Sequence, residues 1–231
     1  MVDTRQLAAS LAEAARTIDA HHDLDDTLDA IVRAAQASVP GVEHVGISTI
    51  DRRGRVRTRA ATDDLVTTLD DLQYSLGEGP CMDALRVDRV VAVPQIAADD
   101  RWPRYVAEAT RRTQLKAQLA VQLFLDRDGV LGGLNMYSTE SPELDPEAET
   151  VAQLFAAHAA IALGRAQEVG GLETALASRK TIGQGIGILM ERYHINEDRA
   201  FAFMTRASSH GNVKLRDVAQ ELVDQINDDA L

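Results

Sequence analysis

From Gly171 to Leu231 the apolar residues recur at three- and four-residue steps, the spacing that lines up one face of a helix, and this commits the last quarter of the chain to short amphipathic helices. The first carries Leu176, Ile182, Ile186, Leu189 and Met190. Asn196 is placed to cap a second, bearing Ala200, Phe203, Met204 and Ala207, which Gly211 ends after His210. Asn212 is placed to cap a third, bearing Leu215, Val218, Ala219, Leu222, Val223 and Ile226. Three such helices bury their stripes only by packing on one another, so a small bundle is expected.

Charge separates this segment from the rest. The chain carries a net charge of −12, yet between Arg179 and Arg216 there are seven basic residues (Arg179, Lys180, Arg192, Arg199, Arg206, Lys214, Arg216) against Glu191, Glu197 and Asp198. Seven minus three is a local plus four, and the remainder carries minus sixteen. Basic residues interleaved with Ser178, Gln184, Ser208, Ser209 and Asn212 suit a polyanion site, because Arg and Lys contact phosphates while amides and hydroxyls read base edges. A solvated helix surface is the plainer alternative.

Pattern adds to charge. The run R-x-x-I-x-x-x-x-G-I-L-M-E-R, then A-F followed by R-A-S-S, then N-x-K-L-R-D-V-A, closely resembles the ANTAR family of RNA-binding antitermination domains. The family usually has Ala where this chain has Gly185, and Gly at a helix centre costs about 1 kcal/mol relative to Ala. The resemblance implies a homodimer in which each bundle grips one of two neighbouring hairpin loops in a nascent transcript and so keeps a terminator from forming. Loops are where RNA bases are unstacked and legible. The residues expected to carry the contact are Arg179, Lys180, Gln184, Arg192, Arg206, Ser209, Asn212, Lys214 and Arg216. Tyr193 is the one aromatic expected near them, Phe201 and Phe203 reading as core or dimer contacts. A helix-turn-helix DNA-binding regulator shares the three-helix, basic-helix description and stands as the rival.

At 231 residues there is room for a domain of about 150 residues before the bundle. With 45% hydrophobic residues it can build a core, and the single cysteine, Cys81, forms no internal disulfide, which suits a reducing, cytoplasmic setting. The first residues mix Asp and Glu with apolar groups and read as neither signal peptide nor membrane span. Helices are expected over Leu7 to Ile18 and Leu24 to Ala35, the second stopped at Pro40 and Gly41. Strands are expected at 44–50, 56–61, 90–93, 118–125 and 130–137, with turns at Arg53-Gly54 and Asp128-Gly129. A last helix opens with Asp145 as cap and Pro146 in its first turn and bears Val151, Leu154, Phe155, His158, Ile161 and Ala162. No proline follows as far as Met190, so a long helix with a soft joint at Gly164 and Gly170-Gly171 leads into the bundle; paired with its copy it would make a coiled coil able to carry a signal.

The stretch Q-Y-S-L-G-E-G-P-C-M-D-A-L-R, Gln73 to Arg86, resembles the loop and short helix of a GAF domain, and the element order fits one. The fold class is then α+β: a GAF-like antiparallel sheet, expected with its helices on one side, joined by a long helix to an all-α three-helix bundle. The domains are placed at 1–168 and 169–231. GAF domains bind a small molecule over one sheet face, or simply dimerise, so the resemblance names no cofactor.

Catalytic and metal signatures are weak. Cys81 reads as a buried small apolar group rather than a redox thiol, and a GAF-fold thiol reductase would want a resolving cysteine. His21 and His22 point apart, His158 reads as a buried or interface histidine, and His194 and His210 as loop and helix-end residues. The Asp pairs at 25–26, 63–64, 70–71 and 99–100 lack a calcium loop, and no phosphate-loop or hydrolase motif appears. Trp102 and Tyr105 are expected to anchor a helix to the sheet.

Overall fold

The structure, a computed structural model, describes residues 24–51, 53–126 and 129–229. The expected first helix, His21, His22 and Asp128 lie outside the described residues. Helix α1 is Leu24–Ser38, followed by β1 (His44–Ile50), β2 (Val56–Ala61), α2 (Asp64–Leu76), α3 (Pro80–Arg86), β3 (Val90–Val93), a 3₁₀ turn at Ile96–Ala98, α4 (Pro103–Thr113), β4 (Ala117–Leu125) and β5 (Gly129–Ser138). The long helix α5 runs Ala148–Tyr193 without a break at Gly164 or Gly170, and α6 (Glu197–Gly211) and α7 (Leu215–Asp229) complete the chain. The chain forms two compact units, Met1–Ala166 and Gln167–Leu231.

The five strands form one antiparallel sheet in the order β2-β1-β5-β4-β3. Because strand side chains alternate between faces, the sheet feeds two separate cores. Val45, Ile47, Leu119, Val121, Leu134 and Met136 pack with Leu28, Ile31 and Val32 of α1 and with Val151, Phe155 and Ala159 of α5. Val91, Val93, Ala120 and Tyr137 pack the other way, against Val66, Leu69 and Leu72 of α2, Ala84 of α3 and Trp102, Tyr105 and Ala109 of α4. The expectation of helices on one side is therefore corrected: both faces are covered. It failed because the second face is lined by Ser48, Gln118 and Asn135, all fully buried, which in sequence look like a solvent face.

A register shift between Ile47 and Ser48 pairs Ile47 with Ala60 but Ser48 with Thr58, which turns Thr58 inward beside Ser48. Helix α2 is started by Asp63, whose carboxylate accepts from Leu65 N at 3.0 Å, and stopped by Gly77 in the left-handed region. At the entry to α5, Asp145 accepts from Glu147 N at 2.8 Å. Along α5, Val151, Phe155 and Ala162 are buried, but Leu154 and Ile161 lie on the exposed flank and His158 between them is half-buried, its Nδ1 donating to Leu154 O at 2.8 Å. His158 is thus held by its own helix rather than buried in the core.

The second unit closes on Leu189, Ala200, Met204 and Ala219, with Ile182, Ile186, Leu215, Val218 and Leu222 packed against them. Asn196 caps α6 as expected, accepting from Arg199 N at 3.1 Å. Asn212 does not cap α7. It adopts φ 50 as the left-handed C-cap of α6, with its N–H on Ser208 O, a conformation asparagine tolerates better than most residues; Gly211 is still helical. Gly185 has a packing reason. A Cβ there would sit 3.1 Å from the Cβ of Ala219 and 3.3 Å from Met204 Cε, so the bare backbone lets α5 approach α7 closely.

Candidate nucleic-acid interface and sensor core

Arg179, Lys180, Gln184, Arg192, Arg206, Ser209, Asn212 and Lys214 are all exposed. Among the described residues none of Arg179, Lys180, Arg192, Arg199, Arg206 and Lys214 forms an ion pair, whereas Arg216 is half-buried and reaches Asp217 at 3.3 Å. In the first unit Arg55, Arg59, Arg101, Arg104, Arg111 and Arg112 each hold a carboxylate, while Arg33, Arg53, Arg57, Arg86, Arg89 and Lys116 are exposed without an ion pair among the described residues, so what sets the second unit apart is the near absence of paired cations together with its local positive charge. Cations held in water without a protein counterion carry a positive potential outward and keep their donors for a ligand. Asn212 contributes differently from the rest, since its backbone conformation already serves the α6 C-cap.

Of the two roles expected for Phe201 and Phe203, core or dimer contact, the first is corrected. Phe203 is not a core residue: it is 48% exposed, and its ring centroid lies 6.2 Å from that of Tyr193, itself 56% exposed, with the planes tilted by 31°. Phe201 is also exposed. Phe203 shares a shallow groove on α6 with Arg206, Ser209 and His210. Period-3.6 spacing alone assigns it to the core, because Phe203 neighbours the true core position Met204.

In the first unit the stretch Gln73 to Arg86 builds a corner. Gly79, at φ 126, is pressed so close to Gln73 that a Cβ would meet its Oε1 at 2.5 Å, and Pro80 opens α3 at its first turn. Glu78 accepts from Arg104 N at 3.1 Å and from Arg104 Nε at 2.6 Å, fixing the start of α4. Gln73 then ties the elements together. Its Oε1 accepts from Cys81 N at 2.8 Å and Gln118 Nε2 at 3.2 Å, and its Nε2 donates to Tyr137 OH at 3.0 Å. Tyr105 OH donates to Gln118 Oε1 at 2.7 Å and so ties α4 to β4 as expected, while Trp102 Nε1 donates to Asp83 at 3.0 Å and ties the start of α4 to α3.

At the centre lies Asp70, fully buried, a residue that in sequence looks like half of an acidic pair. Thr58 Oγ1 donates to it at 2.6 Å, Asn135 Nδ2 at 2.9 Å, and Tyr137 OH in a very short bond. Burial outweighs these donors and pushes its carboxyl up to about 6. Beside it Asn135 Oδ1 is the one buried side-chain acceptor without a partner among the described residues. Cys81, also fully buried, touches Ser48 Oγ at 3.6 Å, and burial with the nearby Asp70 charge pushes its thiol up to about 12. A thiol so placed does not present the thiolate that redox or nucleophilic chemistry needs. Tyr105, Tyr137, Gln73 and Gln118 are all fully buried between the sheet and α2, α3 and α4 and are joined by hydrogen bonds between their side chains.

Comparison with known proteins agrees with this division. A model described as GAF domain matches residues 21–164, and one described as ANTAR domain matches residues 171–223. No curated protein matches the chain. Among solved structures, the GAF domain of a phosphoenolpyruvate-protein phosphotransferase from Coxiella burnetii is 14% identical over 73% of this chain and 99% of that chain, with a TM-score of 0.57. The corresponding GAF domain from Acinetobacter is 18% identical over 71% and 97%, with a TM-score of 0.55. The phycoerythrobilin-bound GAF domain from a cyanobacterial phytochrome is 16% identical over 71% and 97%, also with a TM-score of 0.55. At these identities the likeness is one of fold. No helix among the described residues is long and apolar enough to cross a membrane.

Proposed function

Because this chain belongs to the GAF family and carries an ANTAR domain behind its GAF domain, we propose that it is a transcription antitermination regulator that binds hairpin loops in nascent RNA under control of the sensor. The observation that carries the reading is the set of exposed, ion-pair-free cations on the C-terminal unit of an otherwise acidic chain. A polyanion is what such a surface attracts, and unstacked loop bases are what its amides and hydroxyls have room to read. Arg179, Lys180, Arg192, Arg206 and Lys214 take the phosphates, while Gln184, Ser209 and Asn212 face bases; Arg216, tethered to Asp217, contributes least.

The working unit is a homodimer, one protomer per loop. The exposed Leu154 and Ile161, two helical turns apart on α5, supply apolar surface for that pairing. The domains are 1–168 and 169–231, and the first receives the input. A small molecule entering over the second sheet face would have to displace the Tyr105–Gln118–Gln73–Tyr137 chain, so input there is read as a rearrangement of buried hydrogen bonds.

Transcription in vitro tests the proposal. On a template carrying tandem hairpins that overlap a terminator, readthrough rises with added protein, and scrambling the loops abolishes the rise. Readthrough that is unaffected by the protein, or raised equally on both templates, would contradict it.

A further inference from the structure

We propose that Tyr193 and Phe203 form a stacking platform for one unpaired base of the RNA loop, with Arg206 and His210 at its edge; the assignment rests on the RNA-binding function proposed for this unit. The two rings are about half exposed although the core beside them is complete without them, being closed by Leu189, Ala200, Met204 and Ala219. Their centroids lie 6.2 Å apart and their planes are tilted by 31°, so each ring leaves much of one face to solvent. Such faces accept any base, since every base has a π-face.

The surroundings name the occupant. On α6, Arg199, Phe203, Arg206 and His210 follow at steps of four, three and four and so share one flank, while the helix acids Glu197 and Asp198 sit around its first turn on other faces. Neither Arg199 nor Arg206 has an ion-pair partner among the described residues, and Phe203, Arg206 and His210 line one groove. An aromatic step rimmed by free guanidinium groups suits a base attached to phosphates. A second copy of the same surface would instead bring like charges together, which disfavours self-association through this patch. The platform also supplies the stacking that the C-terminal basic face otherwise lacks.

The test compares Phe203→Leu, Tyr193→Leu and the conservative Phe203→Tyr in the full chain, titrated against tandem-hairpin RNA with 2-aminopurine in the loop. Each Leu variant should lose about 5- to 100-fold in affinity while the salt dependence stays as in wild type, because no phosphate contact is removed. The wild type should change the 2-aminopurine fluorescence on binding, the Leu variants should not at saturation, and Phe203→Tyr should behave as wild type. Wild-type binding with unchanged affinity and fluorescence in both Leu variants would overturn the platform and leave the RNA reading standing. Weakened dimerisation in sedimentation, with RNA affinity restored at high protein concentration, would make the patch a protein interface and overturn it likewise. Failure of the wild type to bind any loop RNA would remove the RNA reading and the platform with it.

Discussion

Asp70→Ala should lower the stability of the sensor domain by about 3–5 kcal/mol at pH 5, because three buried donors, on Thr58, Asn135 and Tyr137, lose their acceptor at a cost of about 1–3 kcal/mol each, some of it recovered by re-aimed hydroxyls. Trp102, the only tryptophan and nearly fully buried at the start of α4, reports this unfolding separately from that of the bundle. The effect depends on pH with a definite sign. The folded-state pKa of Asp70, about 6, lies above the ordinary 3.8, so its contribution is fully present below about pH 4 and is lost as pH rises through 6. The wild type therefore loses between pH 5 and pH 7 a stabilising contribution that the Ala variant lacks, and the gap between them narrows by roughly 1 kcal/mol. The neighbouring Cys81, Tyr74, Tyr105 and Tyr137 are all pushed upward and stay protonated across this window, so among the buried groups around it Asp70 is the one behind the change in the gap. Denaturant melts of both proteins at the two pH values measure it. A gap that is small and independent of pH would show that Asp70 is not the centre of the sensor core.

The second large effect is on binding. Replacing Arg179, Lys180, Arg192 and Arg206 together by Ala should weaken loop-RNA binding roughly 100-fold or more and reduce the slope of log affinity against log salt by about 3, since each single-strand phosphate contact contributes about 0.7. None of the four has an ion-pair partner among the described residues, so the melting of the bundle should hardly move. Arg216→Ala serves as a contrast: its guanidinium already holds Asp217, and the loss should be smaller. An unchanged salt slope in the fourfold variant would place the RNA elsewhere.

Much of the fold is legible in the sequence. The five strands stand where alternating β-rich runs place them, within a residue at each end, and Asn196 caps α6 as its position before an apolar repeat implies. Helix α2 is not legible as a helix. Its buried stripe is Val66, Leu69, Asp70, Leu72 and Gln73, and two of these five are polar, so the apolar period fails where the hydrogen-bonded core begins. The same chemistry hides the second covered sheet face, because Gln118 and Asn135 look solvated until Gln73 and Asp70 are seen opposite them. The cationic surface is readable from charge alone, since long basic side chains find water wherever a helix leaves them. The ring pair is not, because contact between Tyr193 and Phe203 depends on the turn at His194, at φ 54, that folds α6 back on α5.

The most direct test is competition for the full-length protein between labelled tandem-hairpin RNA and unlabelled competitors at a fixed salt concentration. Displacement is expected with the same RNA and not with RNA carrying scrambled loops or with duplex DNA of equal charge. Displacement by duplex DNA as readily as by the hairpins would contradict loop-RNA recognition by this chain.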